Sequence, residues 1–171
     1  HLEYHPIIIE DGQILEFGDL KFEVIECGTH CAGNVMYLEK KHGLLLTGDE
    51  IDQDQVLLLP SFTYERGKFY STNASSVKQY QDLLKRVWKR HQEILFLCTG
   101  HNGSPLPKET ILKMIELCEC ILQGEKGKKD CSSPTYGIKD THFPNENANY
   151  LRFEKEGLSL VYCADDLCRS F

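Results

Sequence analysis

Residues 35–49 read VMYLEKKHGLLLTGD, and the fold turns on how this stretch is read. Two apolar runs, Val35 to Leu38 and Leu44 to Thr47, flank the charged residues Glu39 to His42 and Gly43. Short apolar runs separated by a polar turn with a glycine predict a β-hairpin. The second run ends on Gly48-Asp49, where a glycine frees the backbone to leave the sheet and a carboxylate follows at once. Upstream, Ile7 to Ile9, Gln13 to Phe17 and Leu20 to Cys27 read as strands divided by turns at Asp11-Gly12 and Gly18-Asp19. Phe22 and Val24 alternate with polar neighbours, as a half-buried sheet requires.

Downstream the period changes. Residues 60 to 74 are aromatic and polar with no clear repeat, and read as a loop running into a helix. From Ser75 to about His91, the apolar residues Val77, Tyr80, Leu83, Leu84, Val87 and Trp88 recur at helical spacing behind Ser and Asn caps. Glu93 to Thr99 follows as an apolar strand. Lys108 to Gln123 carries Ile111, Ile115, Cys118 and Leu122 on one helical face, with Gly124 as its stop. Residues 124–149, rich in Gly, Lys, Asn, Ser and Pro, read as a long polar surface loop. Tyr150 to Glu154 and Leu158 to Cys163 close the chain as two strands joined at Glu156-Gly157. The expectation is one α/β (α+β layered) domain over 1–171, with a mixed sheet and helices on one face; there is no internal repeat.

Composition narrows the function. The 171 residues are 41% hydrophobic and carry a net charge of -7, with no long basic run. Binding to nucleic acid or an anionic membrane through a basic face is disfavoured. The apolar stretches are far shorter than the roughly 20 residues that span a bilayer, so a soluble, cytoplasmic protein is expected. Eight cysteines, mostly inside apolar segments and without a Cys-x-x-Cys pair, suggest reduced thiols rather than a disulfide scaffold or a zinc knuckle.

Three segments set a metal-capable side chain just after a predicted strand. They are Cys27-Gly28-Thr29-His30-Cys31-Ala32-Gly33, Leu46-Thr47-Gly48-Asp49 and Leu97-Cys98-Thr99-Gly100-His101-Asn102-Gly103. Glycine lies within two residues of His30, Asp49 and His101 in each case or shapes the same turn, which lets backbone approach an ion or substrate. Two imidazoles and a carboxylate suit zinc, iron or manganese. Taken singly, each of these residues has a bland alternative as a turn or a hydrogen-bonded strand end.

In order and spacing, these segments resemble the metallo-β-lactamase superfamily, which reads Gly-His-Thr-Pro-Gly, then a strand pair ending in Gly-Asp, then Gly-His. His30-Cys31-Ala32-Gly33 stands where that family has His-Thr-Pro-Gly. The resemblance covers nearly all of residues 10 to 165. It implies that His30 ligates a first metal, Asp49 bridges two and acts in catalysis, and His101 ligates the second. Two zinc ions, with iron or manganese as alternatives, would then activate a water for attack on a small-molecule ester, thioester, amide or phosphodiester.

The family's His-x-His-x-Asp-His element has no counterpart here. His1 and His5 are separated by Leu2-Glu3-Tyr4, and no Asp-His follows. The expectation is therefore the C-terminal half of such a domain, inactive by itself, holding one ion weakly or none, and associating with a missing N-terminal half or a second copy. A non-catalytic assembly or binding module is the competing reading, and a diiron redox member a further one. Cys31, Asp52, Tyr64, Arg66 and His142 are candidates to support the ligands or form a substrate loop. For Cys31 and Cys98 the competing role is that of a small buried strand-end residue. For Asp52 and Asp54 it is a solvated loop position, and for the others ordinary surface placement. His42, in a charged turn, and His91, at a helix end, receive no catalytic role.

Overall fold

Inward and outward alternation organises the computed structural model, which describes residues 7–31, 33–58, 62–65, 68–71, 75–129 and 149–168. The elements are β1 (Ile14–Phe17), β2 (Leu20–Glu26), β3 (Val35–Glu39), β4 (Leu44–Gly48), β5 (Val56–Leu57), β6 (Phe62–Glu65) and β7 (Lys68–Ser71). There follow α1 (Val77–Trp88), β8 (Phe96–Thr99), β9 (Leu106–Pro107), α2 (Thr110–Leu122), β10 (Tyr150–Lys155) and β11 (Leu158–Cys163). A six-stranded sheet has the order β1-β2-β3-β4-β8-β9, a three-stranded sheet the order β10-β11-β5, and β6 pairs with β7. The large sheet is mixed: β4 and β8 run parallel, and its other pairs are antiparallel. Mixed sheets with two helices are the α+β arrangement expected from the sequence.

The predicted hairpin forms as β3 and β4, with Leu38 opposite Leu45 and Tyr37 opposite Leu46. Its turn is fastened from below. The Glu39 carboxylate, nearly buried, accepts the amides of Lys41 at 3.1 Å and His42 at 2.9 Å, and lies 2.8 Å from His42 Nδ1. Burial alone would raise the Glu39 pKa, but the His42 and Lys41 hydrogen bonds outweigh it and hold it below the usual carboxylate value.

Three expectations are corrected. Ile7 to Ile9 lie outside any strand, with Ile7 and Ile8 exposed. Residues 62–65 and 68–71 form a hairpin rather than a loop, with Phe62 opposite Ser71 and Glu65 opposite Lys68. Their mixture of aromatic and polar residues hides a period of two, and each strand satisfies the other's backbone groups. The strand expected over Glu93 to Thr99 begins only at Phe96. His91–Glu93 instead form a short 3₁₀ turn, and the amides of Leu95 and Phe96 both donate to the Gly43 carbonyl, at 2.7 and 3.1 Å.

Helix α1 starts at a capping box. Ser76 accepts the Gln79 amide at 3.2 Å, and Gln79 Oε1 accepts the Ser76 amide at 2.9 Å. Its face of Val77, Tyr80, Leu83, Leu84 and Val87 is buried, as is the α2 face of Ile111, Met114, Cys118 and Ile121. These side chains join Ile25, Met36, Leu38, Leu45 and Leu97 of the large sheet, and Leu151, Leu158 and Leu160 of the small one, in a single core. Each fully buried aliphatic side chain stabilises by about 1.5–3 kcal/mol, so this layer dominates the fold. Gly124, with φ +103°, ends α2 as expected, and Lys128 bridges to Arg152 with two 2.8 Å backbone bonds. Most of the expected long loop, residues 130–148, lies outside the described residues.

The other face of the large sheet is different. Phe22, Tyr37, Leu44, Leu46 and Cys98 are only half-buried there, and Phe17, Leu20 and Phe96 are exposed. Phe22 meets Phe17 and Tyr37 edge-on, with ring centroids 6.1 and 6.5 Å apart. At the far margin, four charged residues tie the hairpin to the segment after α1. Arg90 grips Glu23 through two nitrogens at 2.6 and 2.9 Å and also bonds Glu93 at 2.9 and 3.1 Å, while Lys40 reaches Glu23 at 2.8 Å and Glu93 at 3.0 Å.

Candidate metal centre

Topology brings three loops to one end of the large sheet. Because β4 and β8 are parallel, Asp49, next after β4, and His101, two residues after β8, leave the sheet on the same side. The Gly100 amide donates to the Gly48 carbonyl at 3.0 Å and fixes the two exits together. β3 runs antiparallel to β4, so the loop that feeds it opens at that same end. This loop carries His30 and is closed by the Cys27 and Gly28 amides, which both donate to the Asn34 carbonyl at 3.1 Å. Glycine shapes two of the exits. Gly48 has φ +53°, and a Cβ on Gly100 would collide with Asp49 Oδ1.

Asp49 lies between the two imidazoles. Its Oδ2 is 3.6 Å from His30 Nε2, and its Oδ1 is 3.2 Å from His101 Nε2. The His30 Nδ1–H donates to the Leu57 carbonyl at 2.9 Å, and since a carbonyl only accepts, the ring proton belongs on Nδ1. In the neutral ring, Nε2 then turns its lone pair toward a carboxylate oxygen. Two electron-rich atoms face one another, an arrangement that a proton or a metal cation between them makes favourable. The side chains of Asp49 and His101 remain substantially open to solvent, and that of His30 less so.

Two carboxylates that the sequence reading placed in no firm role hold the loops. Glu50 is fully buried and accepts the amides of Thr29 at 3.1 Å and His30 at 3.2 Å, together with the Thr29 hydroxyl. Its own backbone carbonyl accepts the buried Tyr80 hydroxyl at 2.6 Å, which links the site to α1. Burial and the Glu50 charge both push the Tyr80 hydroxyl well above the ordinary tyrosine value. Burial, with Glu50 next in order, raises the Cys27 thiol to about 12. Asp52 is 4% exposed rather than solvated. It accepts the Asn102 amide at 3.0 Å, the Asn102 side chain at 3.3 Å and the Asp54 amide at 3.0 Å. An acid beside Asp49 and an apolar Ile51 were the only sequence signals for Glu50, and both are weak.

The remaining candidates fall elsewhere. Cys31, Cys98 and Asp54 are half-buried. Tyr64 lies in β6, whose side chains are not among those described, and Arg66 and His142 lie outside the described residues. Among the described residues, no group of three or more His, Cys, Asp or Glu side chains is arranged to hold one ion. His30 and His101 address different oxygens of Asp49, so the three residues form two pairs rather than one cage.

Solved structures similar to this chain include metallo-β-lactamase family proteins. One is a metallo-β-lactamase family protein from Thermus thermophilus, 19% identical, with a TM-score of 0.47 over 70% of this chain and 37% of that one. A metallo-β-lactamase superfamily protein from Sulfolobus tokodaii is 17% identical, with a TM-score of 0.44 over 70% of this chain and 41% of that one. The inverting sec-alkylsulfatase Pisa1 from Pseudomonas sp. is 11% identical and has a TM-score of 0.53 over 67% of this chain and 18% of that enzyme. At these identities the likeness is one of fold. The chain spans less than half the length of each of these three neighbours. No family model and no curated protein sequence matches the chain. Among the described residues, no helix is long and apolar enough to cross a membrane.

Proposed function

We propose that this chain carries the His30, Asp49 and His101 portion of a two-metal hydrolase site of the metallo-β-lactamase type. One observation supports it above the others: His30 Nε2 and Asp49 Oδ2 face each other at 3.6 Å, while Oδ1 of the same carboxylate lies 3.2 Å from the second imidazole's Nε2. The donor chemistry fits zinc, iron or manganese. His30 and Asp49 would hold one ion and Asp49 and His101 the other, and the further donors each ion needs would come from outside the described residues. When bound, such ions lower the pKa of a water and polarise the attacked oxygen. The chain's own part is to hold His30 in its Nδ1–H form through Leu57, to aim one Asp49 oxygen at each imidazole, and to fix the loops through Glu50 and Asp52. The substrate class proposed is an ester, thioester, amide or phosphodiester.

The exposed aromatic face of the large sheet favours a covering polypeptide, either sequence of the kind that makes the solved neighbours longer or a second copy. With the lack of a three-donor group among the described residues, that face also supports a second reading, a non-catalytic binding module. Elemental analysis of the full-length gene product separates the two. The hydrolase reading expects zinc, iron or manganese near stoichiometry, lost in Asp49→Ala, together with hydrolysis of a generic ester, lactone or phosphodiester. Full-length product lacking all three metals, with His30 and His101 intact, would sink that reading.

A further inference from the structure

A fully buried carboxylate next in sequence to Asp49 grips the loop that carries the facing imidazole. Glu50 Oε1 accepts the Thr29 and His30 amides, and Oε2 accepts the Thr29 hydroxyl and the His30 amide. Among the described residues no Lys, Arg or His is ion-paired with Glu50; its acceptors are filled by neutral donors. A buried carboxylate satisfied in this way is costly to keep unless its geometry or its charge is used.

We infer that Glu50 is a positioning residue. It locks the His30 loop to the Asp49 exit, so that His30 Nε2 stays aimed at Asp49, and a cation held by that pair would find both donors in place. The geometry explains why one residue can do this. The bonds from Thr29 and His30 are made to the side chain of residue 50, so any shift of the His30 loop must stretch bonds anchored one residue from Asp49. Tyr80, donating to the Glu50 carbonyl at 2.6 Å, keeps residue 50 from following such a shift. The inference about the cation rests on the proposed metal site; the inference about His30 does not.

The test has two arms on the full chain. In the first, nitrogen NMR of the histidine rings without metal reads the His30 tautomer. The wild type should show a single Nδ1–H form, and Glu50→Gln should show a mixture at His30 with the rings of His42 and His91 unchanged. An unchanged His30 in a folded Glu50→Gln variant overturns the inference. Should that variant fail to fold, Thr29→Val, which removes one donor and leaves the carboxylate, decides the same question. In the second arm, zinc is titrated against a chromophoric chelator. Glu50→Gln should weaken zinc by about 10- to 100-fold, the loss usual for groups that orient a metal-binding histidine. Equal zinc affinity in wild type and His30→Ala would count against the metal reading alone, whereas loss in His30→Ala but none in Glu50→Gln would count against Glu50.

Discussion

Asp52 and Asn102, fifty residues apart in sequence, are joined twice: Asp52 Oδ2 accepts the Asn102 amide at 3.0 Å, and Oδ1 accepts its side-chain nitrogen at 3.3 Å. Asn102 follows His101, so this pair sets where the second imidazole stands. Hydrogen bonds to a charged group contribute about 1.5–3 kcal/mol each, and removing a buried acceptor leaves its donors unpaired. Asp52→Ala should therefore destabilise the fold by about 2–4 kcal/mol. Amide hydrogen exchange at Asn102 should accelerate beyond that global loss, and protection equal to wild type would contradict the assignment.

Gly100 touches the site without carrying a functional group. A Cβ there meets Asp49 Oδ1 and comes within 3.3 Å of the Gly48 carbonyl carbon. The easier atom to move is the carboxylate, which would have to turn away from His101. Gly100→Ala is expected to leave the melting temperature nearly unchanged and to lower zinc affinity at least as much as His101→Ala does. Unaltered affinity would show that Asp49 tolerates the methyl group in place.

The cluster of Arg90, Glu23, Glu93 and Lys40 makes a prediction about acid. Hydrogen bonds from Arg90 and then Lys40 hold Glu93 at about 2, and Glu23 is lowered chiefly by Arg90. A carboxylate depressed in the folded state contributes stability that is complete above its unfolded value, near 4.5, and is lost as pH falls through the folded value. Urea midpoints should thus drop between about pH 4.5 and 2. Arg90→Met should lower the midpoint at neutral pH and flatten the drop over that window. Both Glu23 and Glu93 are partly exposed, so the whole effect is screened and should shrink in high salt.

Thiol reactivity should divide by burial. Cys27, raised to about 12, and Cys118, raised further by burial, are almost wholly thiol at neutral pH, whereas Cys168 is exposed. Among the described cysteines, peptide mapping after brief alkylation of the native chain at pH 7.5 is expected to find Cys168 labelled first and Cys27 and Cys118 last. Labelling of Cys27 as fast as Cys168 would show that the loop ahead of β3 opens readily.

Much of the architecture is local and was therefore readable from the sequence. The β3–β4 hairpin follows from two apolar runs about a charged turn, and α1 and α2 follow from a period near 3.6 with a Ser cap and a Gly stop. The β6–β7 hairpin escaped notice because its aromatic and polar residues give no clean alternation. The glycine-flanked His30, Asp49 and His101 stood out for the same local reason. What sequence could not supply was their distance from one another, or the use made of Glu50 and Asp52. Asp52 reads in sequence as a solvated loop residue and Glu50 belongs to no motif, yet both are buried where loops 50 and 21 residues away close over them.

The sequence by itself determined the β1–β4 and β10–β11 strands, the two helices and the choice of donors, because periodicity and residue chemistry act over a few residues. Only the tertiary structure decided that β8 lies parallel beside β4, and with it that Asp49 and His101 leave the sheet together. It alone also turned the His30 lone pair toward Asp49, since that orientation depends on a carbonyl at Leu57, 27 residues away. Pairing across such separations is set by which faces can be buried together, and no short stretch of sequence contains that information.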